Sequence, residues 1–305
     1  MTTGVTVVGS LNMDLVIRSP RMPLPGETII GGEFHTVPGG KGANQAVAAA
    51  RLGAQVSMVG RVGQDAFADA LLENLAADGV VHTHVGQDEV AATGVALIVV
   101  DEAGEHSLVV ASGANMRLSP ADVNAAEATI ADSKTLLVQL ESPLETVARA
   151  VEVARAHGVI VILNPAPARS LPAELLEQID VLIPNESETV LLTGMPVDDL
   201  GEAEAAAGRL RQLGVGTVIL TLGDRGALLA RESGAEVFPA FDVSPVDTTA
   251  AGDAFVGGLA VALAEGRALA EAVRWGNAAG ALATTMLGAQ TSLPTREALE
   301  KMLAE

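Results

Sequence analysis

The chain has 305 residues, 49% of them hydrophobic, with a net charge of −20 and no cysteine. It is long enough for one large or two modest domains with a sizeable core. Disulfides, zinc–thiolate sites and thiol catalysis are excluded, and the acidic balance disfavours nucleic acid or an anionic membrane as partner.

Met1-Thr-Thr-Gly-Val5 lacks a basic stretch followed by an apolar one, so no signal peptide is read and a cytoplasmic protein is expected. The apolar run at 5–9 predicts a buried strand, 42–52 a helix, 55–60 a strand and 65–78 a helix. After Pro120 a helix runs to about 131, followed by strand 135–139, helix 143–157, strand 159–164, a short helix and strand 181–184. Helices 186–193 and 200–213 precede strand 217–221; 226–231 and 236–238 read as a β-meander, and the chain is helical from 252 onward. The longest apolar helical stretch, 254–264, is too short to span a bilayer. This alternation implies βαβ units around a parallel sheet.

Two segments break the rhythm. Residues 15–37 carry β-like runs at 15–18 and 28–34 split by Pro-rich turns, and 93–100 with 106–110 form a hairpin across Glu102-Ala-Gly104. These four runs are expected to form a small sheet inserted in two pieces as a lid (15–37 and 93–110). The main domain is then 1–14, 38–92 and 111–305. The lid's exposed face calls for pairing, so a homodimer through it is expected.

The most informative stretch is Asp247-Thr-Thr-Ala-Ala-Gly-Asp253, two carboxylates separated by small residues and followed by a helix-like run. A Gly-rich turn opening a helix presents unpaired N–H groups to an anion. A carboxylate beside such a hole suits phosphoryl transfer to a hydroxyl. An ordinary N-capping Asp is the alternative. The second signal is Pro38-Gly-Gly-Lys-Gly-Ala-Asn44, a turn that lets backbone and Lys41 approach an oxyanion or a sugar hydroxyl. It is not a Walker A loop, lacking the four-residue gap and the Ser/Thr after Lys.

With both segments in view, the whole chain resembles the ribokinase family of sugar kinases, within the phosphofructokinase B-type superfamily. The resemblance is carried by Gly9-Ser-Leu-Asn-Met-Asp14, Pro25-Gly-Glu-Thr28, the Gly39-Gly-Lys-Gly-Ala-Asn-Gln-Ala-Val segment, Ser112-Gly-Ala-Asn115 and Gln139-Leu-Glu141. It continues through Asn164-Pro-Ala-Pro-Ala168, Pro184-Asn-Glu-Ser-Glu188, Thr221-Leu-Gly-Asp-Arg-Gly226, 247–253, Asn277-Ala-Ala-Gly280 and Gly288-Ala-Gln-Thr-Ser292.

The resemblance implies a three-layer αβα domain with a mostly parallel sheet and a small β-sheet lid. It implies ATP-dependent phosphorylation of D-ribose at its 5-hydroxyl, with Mg²⁺ and K⁺. Asp253 would be the general base, with Ala250, Ala251, Gly252 and Asp253 forming the anion hole. Asn12, Asp14, Gly40, Lys41, Asn44 and Glu141 would contact the sugar. Asn12 and Asp14 are read as leaving the first strand at its C-terminal end, with an Asx turn as the alternative. Asn185, Thr221, Gly223, Asp224, Gly226, Gly252 and Asn277 would line the nucleotide groove. Asn185 and Glu188 would hold Mg²⁺ through water, or form a helix cap. K⁺ would be held by Asp247, Thr249, Ala283, Met286, Gly288 and Ser292.

The five histidines are scattered and are read as surface residues; His82 and His84 alternate as on an extended segment. Trp275 is read as core. A kinase for fructose, deoxyribose or a nucleoside is the nearest rival; with no Tyr, one Trp and five Phe, base stacking has few candidates. A catalytically silent sugar sensor is the second rival. A nicotinamide oxidoreductase is set aside, because Gly-x-Gly-x-x-Gly is absent after the first strand.

Overall fold

The computed structural model describes residues 4–103 and 105–304. Met1 to Thr3, where the signal-peptide reading begins, and Gly104 of the expected hairpin turn lie outside the described residues. In chain order the elements are β1 (Gly4–Val8), β2 (Asn12–Arg18), β3 (Phe34–Gly39), α1 (Lys41–Arg51), β4 (Gln55–Gly63), α2 (Ala66–Ala77), β5 (Val81–Asp88), β6 (Gly94–Val100) and β7 (His106–Ala111). Then come α3 (Pro120–Ala125), α4 (Glu127–Ala131), β8 (Thr135–Val138), α5 (Leu144–Ala156), β9 (Ile160–Leu163), α6 (Ala173–Leu176), β10 (Val181–Leu182), α7 (Glu186–Thr193) and α8 (Leu200–Gln212). Last are β11 (Thr217–Thr221), β12 (Ala227–Arg231), β13 (Gly234–Phe238), α9 (Ala251–Ala264), α10 (Leu269–Thr284) and α11 (Arg296–Ala304).

Nine strands form one sheet, ordered β13-β12-β11-β10-β9-β8-β1-β4-β5. From β5 to β11 all neighbours are parallel; β12 and β13 turn back antiparallel. Successive strand residues face opposite sides, and both sides are covered. Val7, Leu137, Ile162 and Ile219 pack under α1, α2, α9, α10 and α11. Val8, Leu136, Val161 and Leu220 pack under α3, α4, α5, α6 and α8. This is the expected three-layer α/β architecture. Burial on both faces is why the inner strands read as continuous apolar runs.

The separate small sheet runs β3-β2-β6-β7, with β2 and β6 parallel and both outer pairs antiparallel. The run at 28–34 is not a strand; the pairing segment is β3, five residues further on in its end point. Pro38 lies inside it, opposite Met13, which is tolerated because β3 is an edge strand. The small sheet also takes in Asn12 and Asp14, so these lie on β2 and not at the end of β1. β5 was read only as an extended alternation at His82 and His84, without strand bounds, and the single helix expected after Pro120 is broken at Ala126 into α3 and α4. Among the described residues, no helix is long and apolar enough to cross a membrane.

Candidate active site

The site is built around the start of α9. Ala250, immediately before it, has left-handed backbone geometry (φ 59°), and no side chain caps the helix. The Ala251 N–H is used locally, donating to the Thr248 carbonyl at 3.2 Å. Gly252 and Asp253, in the first turn, have no acceptor within their own helix. Gly252 is exposed, and a β-carbon built on it would meet nothing within 4 Å. The helix dipole adds positive potential at this end. Of the expected anion-hole amides 250–253, that of Ala251 is thus engaged within the protein.

The Asp253 side chain is turned inward and buried. α9 lies tightly on α1: a β-carbon at Gly257 would stand 2.6 Å from that of Ala48. One turn earlier on both helices, Asn44 Nδ2 donates to Asp253 Oδ2 at 2.9 Å and Gln45 Nε2 donates to Oδ1 at 3.0 Å. Asn44 Oδ1 accepts from Gln290 Nε2 at 3.1 Å. Asn44, expected as a sugar contact, therefore has both ends of its amide engaged within the protein.

Around this carboxylate stand Asp14, Lys41, Glu141 and Glu188. Burial, followed by Glu141 and Asp253, pushes the Asp14 carboxyl up to about 7. Asp253 raises the Lys41 ammonium above its ordinary range, burial opposes this, and Glu141 and Glu188 add to it. Burial also raises Glu188, against the Asn185 N–H and Lys41. Glu141 Oε2 accepts from the Lys41 N–H at 3.0 Å and from the Ser10 hydroxyl. One cation thus serves several carboxylates, so the cluster carries excess negative charge and an anionic ligand would need further positive charge beside it. Gly40 caps α1 at φ 88°, and a β-carbon there would stand 2.7 Å from the Asn12 N atom. Asn12 is buried, its Oδ1 accepting from Asn115 Nδ2 at 2.7 Å.

The residues expected to meet the nucleotide separate into two groups. Gly223 and Asp224 are exposed on a single 3-10 turn after β11, with nothing within 4 Å of a β-carbon at Gly223. Thr221 at the end of β11 donates its N–H to the Pro184 carbonyl at 3.0 Å and bridges to Asn185, which joins this turn to the start of α7. Gly226 is buried, and a β-carbon there would stand 2.0 Å from the Phe238 carbonyl oxygen. Its small size serves strand packing. Asn277 is buried and donates to the carbonyls of Phe238 and Pro239, both at 3.1 Å. Both residues are thus engaged within the protein, against the end of β13.

Asn185 and Glu188 form a capping box at α7: Glu188 Oε2 accepts from the Asn185 N–H and Asn185 Oδ1 from the Glu188 N–H, both at 2.8 Å. The cap alternative is the observed geometry, and it leaves Glu188 Oε1 outside the box. Among the described residues, no group of three or more His, Asp or Glu is arranged to hold a metal ion. Asp247 Oδ1 accepts from the Thr249 N–H at 2.9 Å and the Thr249 hydroxyl at 2.6 Å, and Oδ2 accepts from the Gly288 N–H at 2.8 Å. This joins the segment before α9 to the loop after α10. Within that region Ala283 and Ser292 are buried, and the Met286 side chain is exposed.

Sequence reasoning gave no role to Ser10, Gln45, Gln139, Asn164 or Gln290. Each lies inside a motif quoted for the resemblance, and four of the five are amides. A recurrence of neutral amides at strand and helix ends was the available signal.

The family model for pfkB family carbohydrate kinases matches residues 2–296. The chain belongs to the pfkB family of carbohydrate kinases. It is 45% identical over 297 residues to the ribokinase of Haemophilus influenzae, covering 97% of each chain. It is 43% identical over 300 residues to that of Bacillus subtilis, covering 98% of this chain and 99% of the relative. A deoxyribokinase of Salmonella typhi is 39% identical over 302 residues, covering 98% of each. Among solved structures, Arabidopsis thaliana ribokinase complexed with ribose and ATP superposes with a TM-score of 0.92 at 34% identity, over 99% of both chains. This carbohydrate-kinase family accounts for the three-layer fold and the small second sheet together.

Proposed function

We propose that this carbohydrate kinase transfers the γ-phosphoryl group of ATP to the 5-hydroxyl of D-ribose, giving ADP and D-ribose 5-phosphate. The observation that carries the chemistry is the buried Asp253 carboxylate, fixed by two amide donors beside the open amides of α9. Asp253 takes the hydroxyl proton as the new O–P bond forms and the bond to the ADP oxygen breaks. The Gly252 and Asp253 N–H groups and Lys41 stabilise charge on the moving phosphoryl group. Asp14 and Glu141 accept hydrogen bonds from neighbouring sugar hydroxyls, with Asn12 and Gly40 shaping the floor. Thr221, Gly223 and Asp224 line the nucleotide groove, backed by Gly226 and Asn277.

Mg²⁺, when bound, neutralises charge on the β- and γ-phosphates; Glu188 would hold it through water by the oxygen outside its cap. K⁺ fits against Asp247, Thr249 and the carbonyls of Ala283, Met286 and Gly288 near Ser292, where the Asp247–Gly288 hydrogen bond already joins the two segments. The inserted segments 15–37 and 93–110 act as a lid that excludes water as acceptor. Ile17, Leu97, Val109 and Val110 are exposed on the small sheet, which supports a homodimer through it. A cytoplasmic location follows from the ATP requirement.

The test is a panel of D-ribose, 2-deoxyribose, fructose and nucleosides with ATP, read as ADP formation. D-Ribose should give the highest kcat/KM. The 39% identity to a deoxyribokinase favours 2-deoxyribose as the second reading, and a higher kcat/KM for it would replace the first.

A further inference from the structure

Asp253 is gripped by two chains of neutral amides that converge on it from opposite sides. On one side, Gln139 Nε2 donates to Gln45 Oε1 at 2.5 Å, and Gln45 Nε2 donates to Asp253 Oδ1. On the other, Asn74 Nδ2 donates to Gln290 Oε1 at 2.6 Å, Gln290 Nε2 to Asn44 Oδ1 at 3.1 Å, and Asn44 Nδ2 to Asp253 Oδ2. Gln45, Gln139 and Gln290 are all buried.

The sense of every link is dictated by chemistry. An ionised carboxylate only accepts, so Asn44 and Gln45 must present their NH₂ groups to Asp253. The Ile183 carbonyl also only accepts. Asn164 therefore donates to it at 2.9 Å and turns its own oxygen toward Gln45 Nε2, 3.3 Å away. Gln45 thus faces two acceptors with one NH₂, and its oxygen must accept from Gln139. The same logic runs outward from Asn44 through Gln290 to Asn74. Five elements or their ends, α1, α2, α9, β8 and the turn at Gln290–Ser292, are tied to one carboxylate. No amide in either chain titrates, so none competes with Asp253 for the substrate proton.

We propose that Gln45 and Gln290 are positioning residues that hold the Asp253 carboxylate in its reactive orientation through these two polarised amide chains. The proposal rests on Asp253 as general base. Gln290 also belongs to the segment that begins at Gly288, which Asp247 holds, so movement of that loop would reach Asp253 through Asn44.

The experiment uses the full-length enzyme with D-ribose and ATP. Gln45→Met and Gln290→Met keep size but donate nothing. Each should lower kcat roughly 10- to 100-fold, the scale of a small misplacement of a reacting group, with the KM of both substrates within about twofold of native. Gln45→Glu keeps shape and can donate to Asp253 only while the two carboxyls share a proton. Its kcat, relative to native, should fall as pH rises. Asp14, Lys41 and Glu188 face Asp253 and Glu141 faces Lys41 and Asp14. All four are present in native and variant alike, so the two proteins differ only in the group at position 45. A space-filling role for Gln45 would give parallel pH profiles, and these would overturn the proposal even if the Met variants fail to fold. So would kcat values within about twofold of native in folded Met variants. Asp253→Asn is run alongside. If it is inactive while the Met variants are native-like, only the positioning proposal falls; if it turns over normally, the base assignment falls as well.

Discussion

The Asp14 carboxylate rests on the α-carbon of Gly39: a β-carbon there would lie 2.4 Å from Asp14 Oδ2. The two residues sit on the neighbouring strands β2 and β3, so the glycine leaves the space in which this carboxylate, proposed to meet the sugar, is set. The Gly39→Ala variant should fold with a stability change of about 1 kcal/mol or less, since a side-chain tip can move. Its ribose affinity should fall about tenfold, the scale of a disturbed charged hydrogen bond. Thermal unfolding checks the effect on stability, and titration calorimetry the effect on binding.

Asp14 also predicts a pH dependence. Its carboxyl is pushed up to about 7 from an ordinary value of 3.8 by burial, then by Glu141 and Asp253. Between those values the folded state binds more protons than the unfolded one, so this group's stabilisation is present below about 4 and is lost as pH rises through about 7. The thermal midpoint of Asp14→Asn should lack that decline. Ribose binding should move the other way in the native enzyme, tightening as Asp14 ionises and becomes a full acceptor.

Most of the fold was legible because burial imposes a period. β1, β8, β9 and β11 are apolar runs, and α7 and β11 fall where the sequence put them. The misses share a cause. β5 is an edge strand carrying His82, His84, Gln87 and Asp88, and its half-exposed faces leave no apolar signature. β3 hides behind Pro38 and Gly39, which read as a turn until an edge position explains them. At the site, Asp253 was singled out because an N-capping Asp accounts for one carboxylate but not for the second, Asp247, or for the small residues between them. Gln45 and Gln290 were not, because an amide gains a role only from the partner the fold brings to it. Asn185 and Glu188 were ambiguous, since i and i+3 spacing serves a cap and a cation equally.

Trp275 fixes the C-terminal helices. It is buried, with the Arg267 guanidinium 4.4 Å from its ring centre and that of Arg296 at 4.3 Å. Glu265 ties both arginines, at 2.7 Å and 2.5 Å. Trp275→Leu should lose roughly 2–4 kcal/mol through lost core volume and lost ring contacts. Arg296→Met, which keeps the apolar stem, should lose about 1 kcal/mol. Urea unfolding of the three proteins checks both values and their order.

Asp247 accepts from Thr249 and from Gly288, so Asp247→Ala removes this side-chain link between the segment before α9 and the loop after α10, while the N–H groups of residues 246 and 247 still donate to the Thr284 carbonyl. The native enzyme should gain thermal stability on adding K⁺ at constant ionic strength, and turnover should rise with it. In Asp247→Ala both responses should shrink together. A native-sized K⁺ shift in the variant's thermal midpoint would remove Asp247 from the proposed cation site.

The most direct measurement is ribose-dependent ADP formation by Asp253→Asn beside the native enzyme, with ribose affinity determined for both. The variant should bind ribose within a few-fold of native and lose roughly 10²–10⁴-fold in kcat. Turnover near the native rate would show that another group removes the hydroxyl proton and would contradict the account.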